Sequence, residues 1–248
     1  MITVAGAGRI GGMMVSLARG RGEEVAVVGR GGPIGAGEGP ILVCTRNDDL
    51  EDVLGRTEPA RRADLVFVQN GVVAPWARAH GLAAPTVGVL YIAVDRVGAT
   101  PVPGASSPFH GPHAAAVVTL LRSGGLPAHS VDEAGLREEV GLKLAWICVL
   151  GVLGQALAVT AGEVVSEQPA AVRALCEELR PVLRGDPDTD APVDLVERVM
   201  DYSRSVAHYR TTVKEWPWRT GWLLASAQRQ GIPLPLHREW LRRAGFSA

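Results

Sequence analysis

The chain has 248 residues, enough for one large domain or two small ones. With 47% hydrophobic and 21% charged residues it has ample material for a core, which excludes a disordered chain. Lys+Arg 25 against Asp+Glu 26 gives a formal net charge of −1, so no basic excess points to nucleic acid or an anionic membrane surface.

Ile2 to Ala5 is a short apolar run, consistent with a strand. The glycine turn Gly6-Ala7-Gly8-Arg9-Ile10-Gly11 follows, and then a helical pattern through Arg19. Glu24 to Gly29 reads as a second strand, so the chain opens with a βαβ unit. A glycine-rich loop spans Gly31 to Gly39. Three more strands are predicted at Pro40–Thr45, Ala63–Gln69 and Thr86–Val94. The Gly/Pro/Ser-rich stretch Val97–Pro112 reads as loop with room for a ragged hairpin, and His113–Ser123 as a helix.

From about Asp132 the pattern is helical nearly throughout. Helices are predicted over Ala134–Ala158, Ala170–Leu183, Val193–Thr212, Trp218–Gln230 and His237–Arg243. The expected fold class is therefore α/β: an N-terminal Rossmann-like dinucleotide-binding domain over residues 1–132, then an all-helical substrate or catalytic domain over 133–248. Such a pair leaves a cleft where a small substrate could meet a cofactor.

Several classes are set aside. Cys44, Cys148 and Cys176 are an odd, widely spaced set, implying neither disulfides nor zinc and fitting a reducing cytoplasm. No metal site is expected; His110 and His113 lack a third ligand nearby. The N-terminus lacks the charged and apolar regions of a signal peptide. The apolar run Leu144–Gly154 is too short for a membrane span and reads as a buried core helix.

G-x-G-x-x-G alone is a weak signal, but here it follows a strand, opens a helix and precedes a second strand. Gly6 allows the tight turn, Gly8 lets the backbone approach a pyrophosphate, and Gly11 lets helix and strand pack closely. The helix N-terminus offers N–H groups to phosphates. No acid ends the second strand; Arg30 stands there, and Arg46 follows the third. An arginine can pair with a 2′-phosphate, so NADP(H) is the expected cofactor.

Lys143 is one of only two lysines, the other being Lys214. A lysine on a helix at the domain junction can donate a proton to a carbonyl oxygen as hydride arrives. The bland alternative is a polar residue snorkelling outward at the edge of a buried segment.

Taken in order, these motifs resemble the ketopantoate reductase (2-dehydropantoate 2-reductase) family over nearly the whole chain. GAGRIG resembles its glycine turn, Arg30 its arginine for the 2′-phosphate, and Arg46 a position where it commonly keeps a lysine. Gln69-Asn70-Gly71-Val72 matches its QNGV element, whose asparagine lies near nicotinamide and substrate. Lys143 matches its proton-donating lysine, Glu215 its substrate-site glutamate, and Ser203 falls near a substrate-binding serine. The resemblance implies hydride transfer from NADPH to a small 2-oxo acid or related ketone, with Lys143 and Glu215 catalytic and Asn70 and Ser203 on the substrate.

The departures imply a less polar pocket or different anchoring. Ile147 and Gly151 stand where the family has asparagines, and Trp216-Pro217-Trp218-Arg219 after Glu215 is unlike a typical member. Trp146, Trp216, Trp218 and Trp222 fit either a packed core or a pocket wall. Three readings stay open: this reductase, acting on ketopantoate or on another small carbonyl or imine substrate; a β-hydroxyacid or imine-type dehydrogenase; and a non-catalytic NADP-binding sensor or partner subunit. Helical surfaces and exposed tryptophans would permit a homodimer.

Overall fold

The computed structural model describes residues 1–247 and divides into two compact units. The first comprises Met1–Gln69 and Val73–Leu136; the second comprises Asn70–Val72 and Arg137–Ala248.

The first unit carries, in order, β1 (Ile2–Ala5), α1 (Arg9–Gly20), β2 (Val25–Val28), β3 (Ile41–Val43), α2 (Leu50–Arg56), β4 (Leu65–Phe67), α3 (Ala74–Ala79) and β5 (Thr86–Gly88). It continues with β6 (Ile92–Ala93), β7 (Val102–Pro103), β8 (Ser107–His110), α4 (Ala114–Ser123) and β9 (Ala128–Ser130). Seven strands form one sheet in the order β2-β1-β3-β4-β5-β8-β9. β1 to β5 pair in parallel, β8 runs antiparallel to β5, and β9 is parallel to β8. The central strands ILV and LVF are wholly buried, as parallel strands covered on both faces must be. Met14, Val117 and Leu121 from α1 and α4 fill the same core as Val4, Leu42 and Phe109. This is the expected Rossmann-like architecture.

Two expectations fail locally. The predicted strand Thr86–Val94 is broken: β5 stops at Gly88, and β6 leaves the main sheet to pair with β7. Ser107 Oγ accepts from the Tyr91 N–H and the Tyr91 carbonyl accepts from Gly104, which turns the chain away. The supposed loop Val97–Pro112 also contains a sheet strand, β8. Its Phe109 is fully buried over Gly88, where any Cβ would collide with the ring. An aromatic packed on a cross-strand glycine outweighs the loop-like composition.

The second unit consists of most of α5 (Glu133–Leu157), then α6 (Ala161–Glu167), α7 (Pro169–Gly185), α8 (Leu195–Ser205), α9 (Thr220–Gln230) and α10 (Pro235–Arg243). α5 is long and apolar enough to cross a membrane, yet 78% of its apolar stretch is buried. It is a core helix, as its sequence implies. The predicted helix Val193–Thr212 ends early, at Ser205. Beyond it, Thr211 lies against Gly154 and Thr212 against Gly151, and the Thr211 hydroxyl donates to the Leu150 carbonyl. The two glycines cut a groove into α5, and an extended segment fills it. No helix is predicted between Ala158 and Ala170, yet Thr160-Ala161-Gly162-Glu163 spells a capping box, forms one, and starts α6.

Candidate functional site

The site residues fall in two groups, one in each unit. In the first, the glycine turn joins β1 to α1. Gly6 has φ +96, and a Cβ there would meet Thr45 and Cys44 at about 3 Å. At Gly11 a Cβ would overlap the Gly6 carbonyl oxygen. Gly8 differs: its φ is −70, and nothing lies within 4 Å of where its Cβ would be. Two glycines are thus needed by the fold itself, while Gly8 leaves open space in front of the helix. Ala7, Gly8 and Arg9 are exposed and Ile10 is half-buried.

α1 begins at this opening with no side-chain cap and no acid in its first turn. The first N–H groups of a helix have no intrahelical partner. Open space, free amides and the positive end of the helix dipole fit the phosphates of a dinucleotide.

Arg30 lies two residues beyond β2, and Arg46 three beyond β3, both exposed. β2 and β3 flank β1, so both arginines follow the carboxyl ends of strands beside the glycine turn. That is the edge where open parallel sheets bind ligands. Two further arginines, missed in the sequence, brace this edge. Arg56 donates to the carbonyls of Gly29 and Gly32, and Arg61 to those of Gly35 and Gly39. Arg61 is itself buried and ion-paired with Asp64. Their only sequence signal is a pair of arginines facing a loop too rich in glycine to hold its own shape.

In the second unit Lys143 sits on α5 with its side chain inside the protein, 6% exposed. Its Nζ donates to the Tyr202 hydroxyl at 2.9 Å. The ammonium also lies 4.3 Å from the Tyr202 ring centroid and 5.1 Å from that of Trp146. Lys143 does not snorkel. Burial, joined by the positive charge of Arg219 and opposed by Glu139 one turn earlier, pushes its pKa down from 10.5 to about 7. Burial pushes the Tyr202 phenol up, so it stays protonated.

Keeping Lys143 charged inside the protein costs on the order of 5 kcal/mol relative to water. Below about pH 7 the lysine is charged in both folded and unfolded chains, and the fold bears that whole cost. Between about pH 7 and 10.5 the folded protein has lost the proton that the unfolded chain keeps, so the cost shrinks as pH rises. Lys143→Met therefore raises the thermal midpoint at about pH 6, and the gain fades toward pH 10. Thermal melts at both pH values check this; an equal shift at both contradicts it.

Ser203, at 0% exposure, accepts from Trp146 Nε1 at 3.0 Å and donates to the Val199 carbonyl at 2.7 Å. Its hydroxyl holds the Trp146 indole in place. Trp146 is therefore core, while Trp216, Trp218 and Trp222 are half-buried. Cys148 is buried beside Thr220, its thiol pushed up to about 12, and packs as a small apolar group.

Glu215 adopts φ +46, rare for a residue with a side chain. The turn it starts, Trp216–Trp218, brings Arg219 back onto the Glu215 carboxylate, and the two form an ion pair. Glu215 is thus engaged with Arg219, a partner that no sequence motif indicates. The exposed Asn70 belongs to this unit as well. Val72 N–H donates to the Trp218 carbonyl, and Gly71, at φ +104, packs so tightly on that carbonyl that no side chain fits. Asn70, two residues before Val72, and Arg219, the residue after Trp218, therefore flank one docking point. Among the described residues no His, Cys, Asp and Glu group could hold a metal.

A Rossmann-like unit followed by a helical unit with a buried lysine is thus the class of protein the coordinates define. No protein-family model and no curated protein matches the sequence. Solved structures do match the fold. A ketopantoate reductase of the PanE/ApbA family from Ralstonia eutropha aligns with TM-score 0.76 at 19% identity, over 99% of this chain and 97% of its own. The 2-dehydropantoate 2-reductase of Methylococcus capsulatus aligns with TM-score 0.75 at 17% identity, over 99% and 98%. D-mandelate dehydrogenase, solved with NADH, aligns with TM-score 0.73 at 13% identity, over 98% and 97%. The chain has the ketopantoate reductase fold from end to end, as its motifs imply.

Proposed function

We propose that the protein is an NADPH-dependent reductase, a divergent ketopantoate reductase-like enzyme that reduces the carbonyl of a small 2-oxo acid or related ketone. The observation that carries this reading is Lys143: a buried lysine, held by a tyrosine hydroxyl, with its pKa near 7. A general acid works best when its pKa lies near the working pH. The fold and the glycine turn support the cofactor half of the reading.

In this reading Gly6, Ala7, Gly8, Arg9, Ile10 and Gly11 hold the dinucleotide phosphates, and Arg30 and Arg46 its 2′-phosphate. Bound NADPH supplies the hydride. Lys143 Nζ delivers a proton to the substrate oxygen, while Tyr202 Oη holds Nζ in one orientation. Having given up its proton, Lys143 can regain one from water near neutral pH, because its pKa is about 7. Asn70 orients the substrate or the nicotinamide. Glu215 acts by fixing Arg219, and Ser203 by fixing Trp146. The enzyme works on a small molecule, in the reducing cytoplasm that its three free cysteines fit.

The test is cofactor consumption with ketopantoate heading a panel of 2-oxo acids, ketones and cyclic imines, with NADH in parallel. Turnover with NADPH, and at least about tenfold weaker use of NADH, is expected. Equal use of the two cofactors contradicts the roles of Arg30 and Arg46. Tight NADPH binding with no turnover favours a sensor, a reading helped by the engaged Ser203 hydroxyl and the absent asparagines at Ile147 and Gly151.

The pH dependence has a definite sign. The reduction needs Lys143 protonated, so kcat/KM is flat below about pH 7 and falls as pH rises through it. A rate that rises through the same range contradicts a proton-donating Lys143.

A further inference from the structure

We propose that Arg219 is the carboxylate anchor of the substrate site, so that this enzyme selects 2-oxo acids over uncharged carbonyl compounds through that one guanidinium. The inference deepens the reductase reading and rests on it.

The polar groups expected around Lys143 are missing or engaged. Ile147 brings a buried alkyl group one turn after Lys143. Gly151 is covered by the Thr212 backbone at 3.5 Å from a Cβ position, so α5 offers no amide there. The Ser203 hydroxyl is used up between Trp146 and Val199. A charged substrate group must be met by something else in this unit.

Arg219 is the group available. Its side chain is 12% exposed, and its Nη2 is bonded to Glu215. Its Nε is buried and has no hydrogen-bond partner. A guanidinium has five N–H donors in a planar fork, a match for a carboxylate. Leaving a buried donor unmet is costly, and an incoming carboxylate beside the guanidinium lowers that cost. The left-handed Glu215, the Trp216–Trp218 turn and the Glu215 carboxylate together hold the arginine. Lysine in its stead would lose the fork.

Charge completes the case. Arg219 is near enough to Lys143 to lower its proton affinity. Among the described residues, other charged and titratable groups facing Lys143 include Glu139, itself paired with Arg198, and Tyr202. A carboxylate on Arg219 would offset the arginine's charge and return the proton to Lys143. The acid is then charged when the correct substrate is bound.

The test compares a 2-oxo acid with its methyl ester in wild type, Arg219→Gln and Arg219→Lys, at saturating NADPH. In Arg219→Gln, kcat/KM for the acid is expected to fall about 100-fold, mostly in KM, while the ester changes little. With the ester the alkaline limb moves to higher pH, because Lys143 has lost a positive neighbour. Arg219→Lys restores part of the preference for the acid. A cooperative thermal melt together with unaltered NADPH affinity shows that both units of the variants are folded. An unchanged acid-to-ester ratio in an active Arg219→Gln overturns the proposal and leaves the reductase reading intact. If wild type reduces nothing, that reading fails, and tryptophan-fluorescence titration with the 2-oxo acid still decides the anchor. Binding lost in Arg219→Gln supports it; binding retained, or absent from wild type, overturns it.

Discussion

Lys143→Ala lowers kcat by about 1,000-fold, the scale of a lost general acid, and leaves the NADPH dissociation constant within about twofold. The two effects separate because Lys143 belongs to the helical unit and the glycine turn to the other. Removing the side chain also relieves the fold of a buried charge, so the variant is not destabilised at neutral pH as an ordinary core truncation would be. Inactivity with an intact or raised melting temperature is the signature to look for. Loss of activity together with loss of NADPH binding would mean that the lysine holds the fold rather than the proton. Steady-state kinetics, a binding titration and a thermal melt on one preparation make the distinction.

Two substitutions in the glycine turn have large and different effects. Gly11→Ala pushes a methyl group into the Gly6 carbonyl, so β1 and α1 must part. The cost is about 1–3 kcal/mol of stability, with loss of NADPH binding following from the distorted turn. Gly8→Val finds open space and a backbone conformation that any residue adopts. It leaves the melting temperature of the free protein nearly unchanged and weakens NADPH by about 100-fold or more, because the side chain fills the approach to the phosphates. Equal destabilisation by both changes would mean that Gly8 serves the fold. Unimpaired NADPH binding by Gly8→Val would move the cofactor away from this turn. Melting and fluorescence titration of both variants decide between these outcomes.

The parts of the fold that were legible in the sequence are those written locally. The βαβ opening shows as an apolar run, a spaced glycine turn and a second apolar run. α5, α7 and α10 show as long periodic stretches, and their observed ends lie within two residues of the predicted ones. What was not legible depends on partners far away in the chain. Phe109 makes a strand of a loop-like stretch only because Gly88 lies under it. Thr211 and Thr212 leave the helical path only because Gly151 and Gly154 open a groove sixty residues earlier. The attachment of Asn70–Val72 to the helical unit rests on a contact with the Trp218 carbonyl, which no local pattern announces.

The site divides in the same way. Lys143 stood out as one of two lysines in a chain that otherwise uses arginine, and its burial agrees with its singling out. Tyr202, Arg219, Arg56 and Arg61 were passed over, since each acts through a residue distant in sequence or through one turn of irregular backbone. Glu215 was legible as a residue but not in its bonding, because its partner Arg219 comes within reach only through the left-handed turn at Glu215.

The most direct test of the account is deuterium transfer. NADPH carrying deuterium at either face of its nicotinamide C4 is incubated with the purified protein and the 2-oxo acid panel, and the products are weighed by mass spectrometry. The account predicts one deuterium at the carbinol carbon of a product, from one face only, and none when Lys143→Ala replaces the wild type over the same short interval. Tight NADPH binding without deuterium in any product, from either face, would contradict it and leave a nucleotide-binding protein without hydride transfer.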